Sequence, residues 1–174
     1  MKYRRIYDRR WVFKLKPDFQ KARIAGVERV AAWSDVLDDI NVFPVADGDT
    51  GRNLITSLTP LRNLEQDLED TIHNLLLSAR GNSGNIAAQF FSGFLTAESY
   101  ENLATAARIG RDQARQAVSK PISGTMLTVL DTLVDLLEKT DFKNKIDDVA
   151  KIGSHRFITL RNSGSLNAKF IRNR

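Results

Sequence analysis

The 174-residue sequence has no cysteine. That excludes disulfide scaffolds, thiolate nucleophiles and thiolate metal centres, and it suits a reducing compartment. Histidine is almost as scarce: His73 and His155 are the only two, and neither stands in a metal-binding or catalytic pattern. His73 lies in an amphipathic stretch and reads as a packing or surface residue. No apolar run approaches the roughly 18 to 20 residues needed to cross a bilayer, and the N-terminus lacks the apolar core of a signal peptide. The expectation is a cytoplasmic protein without a transmembrane segment.

What is present is ordinary for one globular domain, with 42% hydrophobic and 27% charged residues. The net charge of +5 suggests nucleic acid until it is divided along the chain. Residues 1–30 carry ten Lys or Arg against three acids, residues 151–174 carry six against none, and residues 31–150 carry ten against eighteen. The body is acidic and only the ends are basic. A nucleic-acid reader gathers its positive charge on a folded face beside aromatic or polar readers, and no such module appears; no specific nucleic-acid partner is expected.

Apolar spacing makes the body helical. Phe19, Ile24, Val27, Val30, Val36, Leu37 and Ile40 predict a first core helix over residues 18–40. Asp38 and Asp39, in its last turn, read as exposed charges opposed by the helix dipole. Pro44 and Gly48 mark a loop from Asn41 to Asp49, followed by a short helix ending near Pro60. Residues 65–79 resume the helical period, up to the breaker string GNSG at Gly81–Gly84. The segment from Ile86 to Ala97, with Phe90, Phe91 and Phe94, is apolar nearly all round and reads as a buried helix. Further helices are predicted over 99–118 and after Gly124. The fold class is all-α.

Three loops share one design, each a small glycine-containing turn leading into a helix. They are DGDTGRN (Asp47–Asn53), GNSGN (Gly81–Asn85) and SGTM (Ser123–Met126). A helix N-terminus presents unpaired N–H groups and the positive end of the peptide dipoles, and glycine lets an anion come close, so three such ends together would bind a polyphosphate. Taken singly, each turn equally well caps its own helix through Thr50, Ser83 or Thr125. The first loop adds two carboxylates, Asp47 and Asp49, across Gly48. Mg²⁺ is commonly held by one or two carboxylates plus phosphate oxygens and water. The pair therefore fits a magnesium site, with Asn41 as a neutral third ligand; a solvated Asx-turn is the alternative.

NVFPVADGDTGRN, SARGNSGNIAAQFFSGF (Ser78–Phe94) and PISGTMLTV (Pro121–Val129) together resemble the three signature segments of the nucleotide-binding domain of dihydroxyacetone kinases and bacterial fatty acid kinases. The first segment is closer to the fatty acid kinase branch, because the other branch usually has histidine at the position of Thr50. The likeness spans roughly residues 20–150. It implies an antiparallel helical barrel of about eight helices whose mouth takes ATP or ADP with Mg²⁺. It also implies that Asp47 and Asp49, with Asn41, hold the metal. Thr50, Gly51 and Asn53 would line the phosphate and sugar region. Asn82, Ser83 and Gly84 would donate to phosphate, Gly124, Thr125 and Met126 would contact nucleotide from the opposite rim, and Arg80 would be structural or electrostatic.

No acceptor site is legible, so the resemblance implies a partner that supplies the acceptor: a fatty-acid-binding carrier protein, or a domain or subunit holding a dihydroxyacetone-like ketose. The expected organisation is a basic N-terminal extension (1–17), a helical nucleotide-binding domain (18–150) and a divergent, disordered basic tail (151–174). Such a tail leaves the barrel incomplete at its C-terminus. The function expected is an ATP-dependent phosphotransferase domain or subunit; the alternative is a truncated, noncatalytic relative that binds nucleotide or another protein.

Overall fold

The structure is a computed structural model that describes residues 17–42, 46–63 and 67–140, without the side chains of Pro17 and Asp18. The expected basic extension up to residue 16 and the tail from 151 lie outside the described residues. Among these residues the protein is all-helical, with seven α-helices and two 3-10 turns. The helices are α1 (Pro17–Ala32), α2 (Ser34–Asp39), α3 (Thr50–Leu58), α4 (Leu68–Ser78), α5 (Gly81–Phe94), α6 (Leu103–Gln116) and α7 (Met126–Lys139). The 3-10 turns are Thr59–Arg62 and Tyr100–Asn102. No helix of the described residues is long and apolar enough to cross a membrane.

Two expectations are corrected. The predicted first helix is two helices, because the chain turns at Trp33 (φ −114°, ψ 10°). The turn carries the Ser34 backbone onto Gly51, where an added Cβ would stand 2.0 Å from the Ser34 carbonyl oxygen. Tertiary contact thus overrides an unbroken helical period. The second correction concerns GNSG, which is the first turn of α5 and no breaker at all. Gly84 is helical because α5 crosses α3 there, and a Cβ would meet Ser57 Oγ at 2.1 Å.

The apolar faces form two cores. The first joins Val27 of α1, Leu54 and Leu58 of α3, Leu61, Leu75 of α4, and Ala87 and Ala88 of α5; the second joins Ile86 and Phe90 of α5, Ala114 of α6, and Leu127 and Leu130 of α7. Phe91 and Met126 pack against both. Each buried leucine contributes about 1.5–3 kcal/mol relative to exposure. The Phe90 ring stacks on Phe94 at 5.3 Å and meets Phe91 edge-on at 5.4 Å.

Glycine sets the closest approach, since a Cβ on Gly93 of α5 would lie 2.5 Å from the Gly110 nitrogen of α6. Ser92 Oγ donates to Gln113 Oε1 at 3.1 Å, and Asn85 Nδ2 to the Ala117 carbonyl at 3.4 Å, so α6 runs antiparallel to α5. Arg115 pairs with Asp131 and Arg108 with Glu138, so α7 runs antiparallel to α6. The N-termini of α5 and α7 therefore share one end. On the far side, Arg62 Nε donates to Glu28 at 2.6 Å and ties the first 3-10 turn to α1. That bond holds the Glu28 carboxyl below the usual carboxylate range.

Candidate functional site

The first two loops meet. Ser83, buried in the first turn of α5, donates through Oγ to the Thr50 carbonyl at 3.4 Å. The Asn53 amide lies over Gly81, where a Cβ would stand 2.3 Å from its nitrogen, and Gly81 takes a positive φ of 59° that only glycine adopts readily. Beneath them, the fully buried Ser57 donates to the Asn53 carbonyl at 2.7 Å and accepts from the Arg80 N–H at 2.9 Å. That hydroxyl anchors the start of α5 on α3. The Arg80 side chain donates to the Ala79 and Leu77 carbonyls at 2.8 and 3.3 Å, closing the end of α4, which is a structural part. Asn82 is exposed in the same turn, and Gly84 is buried against α3.

In the acidic loop, Asn41 Nδ2 donates to Asp47 Oδ1, so these two side chains come together. Gly48 has φ +60°, the left-handed turn that separates the two carboxylates. Asp49 is the N-cap residue of α3, yet its side chain makes no capping bond. Its carbonyl accepts the Asn53 N–H at 2.9 Å, while its carboxylate makes no hydrogen bond or ion pair among the described residues. No three acidic or histidine side chains converge among the described residues. A divalent ion would thus rest on the Asp47 and Asp49 carboxylates, with the Asn41 amide turned to offer its oxygen, and would take its other ligands from phosphate and water. That donor set suits magnesium.

Asp38 departs from its expected role. Its side chain is only 16% exposed, and its Oδ1 accepts from the Gly51 N–H at 2.6 Å while Oδ2 accepts from Arg52 Nε at 3.0 Å. An acid in the last turn of α2 is opposed by its own helix dipole, and here the N-terminus of α3 offsets that cost. Asp39, by contrast, is exposed as expected, as is His73 on α4. Asp38, Arg52 and Ser57 are the residues sequence reasoning missed. A carboxylate at the unfavourable end of its helix was the one available signal, since it implies a partner elsewhere in the chain.

The third loop satisfies itself. Thr125 Oγ1 donates to the Ile122 carbonyl at 2.8 Å and accepts from the Leu127 N–H at 3.3 Å, and the Gly124 N–H is taken by Thr128 Oγ1 at 2.8 Å. Gly124 is exposed with φ +83°. The hollow beside it, lined by Arg115, Ser123, Thr128 and Asp131 among others, is small, about 40 Å³. Met126 packs against the core containing Leu54 and Ala87. The third loop therefore lies at the α5 and α7 N-terminal end, but among the described residues no hydrogen bond links it to the first two.

Comparison with known proteins adds to this geometry. The family model of the DAK2 domain matches residues 44–155, well over half of the chain. An uncharacterized protein of Staphylococcus saprophyticus is 35% identical over 167 residues, covering 85% of this chain and 30% of the relative. An uncharacterized protein of Staphylococcus haemolyticus is 38% identical over 137 residues, covering 68% and 25%. Protein YloV of Bacillus subtilis is 40% identical over 126 residues, covering 64% and 23%. The chain spans about a quarter to a third of the length of these relatives.

Proposed function

The chain belongs to the DAK2 domain family, and from that premise we propose that it is a cytoplasmic ATP- and Mg²⁺-binding kinase domain that transfers the γ-phosphate to an acceptor supplied by a partner. The observation that carries this reading is the Ser83–Thr50 contact, which joins the acidic loop to the start of α5. A fatty acid on a carrier protein is the acceptor class favoured by Thr50, and a small ketose is the other. The helices around the site would form the antiparallel barrel that the resemblance implies.

Magnesium, when bound, neutralises charge on the phosphates, which is most of what a loose phosphoryl-transfer transition state requires. Asp47 and Asp49 hold the ion and Asn41 adds an oxygen. Asn82, Ser83 and the backbone at Gly84 orient phosphate oxygens, and Thr50, Gly51 and Asn53 line the approach from α3. Gly124, Thr125 and Met126 bound the nucleotide on the α7 side. A noncatalytic relative is the second reading. The observation favouring it is that Asp38 already holds the Gly51 N–H, leaving one donor fewer for phosphate.

The thermal midpoint measured with ATP, with and without Mg²⁺, tests the first reading. A ligand at a hundred times its Kd stabilises by about 2.7 kcal/mol, an increase of about 5–10 °C for a chain of this size. D47N and D49N are expected to abolish the magnesium-dependent part while the far-ultraviolet circular dichroism is unchanged. A wild-type midpoint indifferent to magnesium rejects this reading. Phosphate transfer assayed with a fatty-acid-loaded carrier protein, against dihydroxyacetone, then separates the acceptor classes and the noncatalytic reading.

A further inference from the structure

An aspartate at a helix N-cap ordinarily folds its carboxylate back onto the N–H groups of its own first turn. Asp49 occupies that position on α3 and does not do so. The duty is performed from another helix, since Asp38 of α2, thirteen residues before Gly51, accepts the Gly51 N–H at 2.6 Å and approaches the Arg52 N–H at 3.4 Å. The second oxygen of Asp38 takes Arg52 Nε at 3.0 Å, and Arg52 Nη2 donates to the Gly48 carbonyl at 2.6 Å. Gly48 stands between the two acids of the loop, and its carbonyl belongs to the peptide group that leads into Asp49. Fixing that carbonyl fixes the direction in which the chain enters α3.

We propose that Asp38 is a positioning residue that caps α3 in place of Asp49 and, through Arg52, clamps the Gly48 turn, so that the Asp49 carboxylate stays available to a divalent cation. The inference rests on the magnesium reading of Asp47 and Asp49 and names what prepares that site. Without Asp38, the nearest carboxylate able to satisfy the Gly51 and Arg52 amides is that of Asp49, which would turn inward onto its own helix. The helix would survive with a different cap, and the cation would lose a ligand. The glycines support the same arrangement. Gly51 lets the Ser34 backbone of α2 lie against α3 and so brings Asp38 within reach, and Gly48 adopts the positive φ that the clamped turn needs.

The experiment titrates MgCl₂ into the full chain with ATP in excess and reads the half-saturating magnesium concentration from the thermal midpoint, with midpoints lacking magnesium as the measure of folding. D38A is expected to raise that concentration at least tenfold. D38N keeps an oxygen for the Gly51 N–H but puts an amide NH2 where Arg52 Nε needs an acceptor, so it is expected to lose the clamp alone and to raise the concentration several-fold, like R52A and less than D38A. Arg52 is 70% exposed, so R52A is expected to keep close to the wild-type midpoint without magnesium and to raise the concentration several-fold. A D38A value equal to wild type overturns the proposal, as does equal impairment of D38A and D38N, which would make charge the operative property instead of the cap. An unchanged R52A overturns the clamp. A wild-type chain with no magnesium-dependent shift overturns the nucleotide reading and this proposal together, whereas a normal wild-type shift with an unchanged D38A overturns this proposal alone.

Discussion

At the scale of single residues, the centre of the site is held by one hydroxyl. Ser57 is wholly buried, gives its proton to the Asn53 carbonyl and receives the Arg80 N–H. Replacing it with alanine strands that N–H, an omission that costs about 1–3 kcal/mol. S57A is therefore expected to lower stability by that amount in urea denaturation, with an unchanged m-value. Asp47, Asp49, Asn53 and Ser83 stand out as candidates in the sequence because they lie in short motifs whose residue types carry their own reason. Asp38 and Ser57 do not, because each acts on a backbone group distant in sequence, and no local pattern encodes that pairing.

At the scale of elements, the helices were legible from apolar period and their junctions were not. The period runs through Trp33 without a proline or glycine, so the bend that starts α2 has no local signal. GNSG has the composition of a loop but sits in a helix because the crossing with α3 admits nothing larger than glycine at residue 84. The same logic governs α5 against α6. A Cβ on Gly110 would stand 2.2 Å from the Phe90 carbonyl oxygen, a backbone atom that cannot rotate away. G110A gains helix propensity worth about 1 kcal/mol, yet the forced separation of two packed helices typically costs about 1–3 kcal/mol and sometimes more. The expected outcome is a net loss of stability in G110A, measured by thermal or chemical denaturation. A variant as stable as wild type would show that this crossing opens freely.

At the scale of the whole molecule, the all-helical class followed from composition and period, and the common end of α5 and α7 followed only from the pairing of α5 with α6 and of α6 with α7. The outer edge of α7 is held by exposed ion pairs, Arg108–Glu138 and Arg115–Asp131, and such pairs are worth roughly 0–1 kcal/mol each. The attachment of α7 therefore rests on the buried Leu127, Leu130 and Val134, with Met126 packed beside them. Met126 touches both cores, as does Phe91. A methionine seated in two cores works as a rivet, because neither half can loosen without disturbing its thioether. Hydrogen exchange should accordingly find α3 and α7 opening in a single cooperative event, and M126A should split that event in two, with α7 released first while α3 and α5 keep their protection.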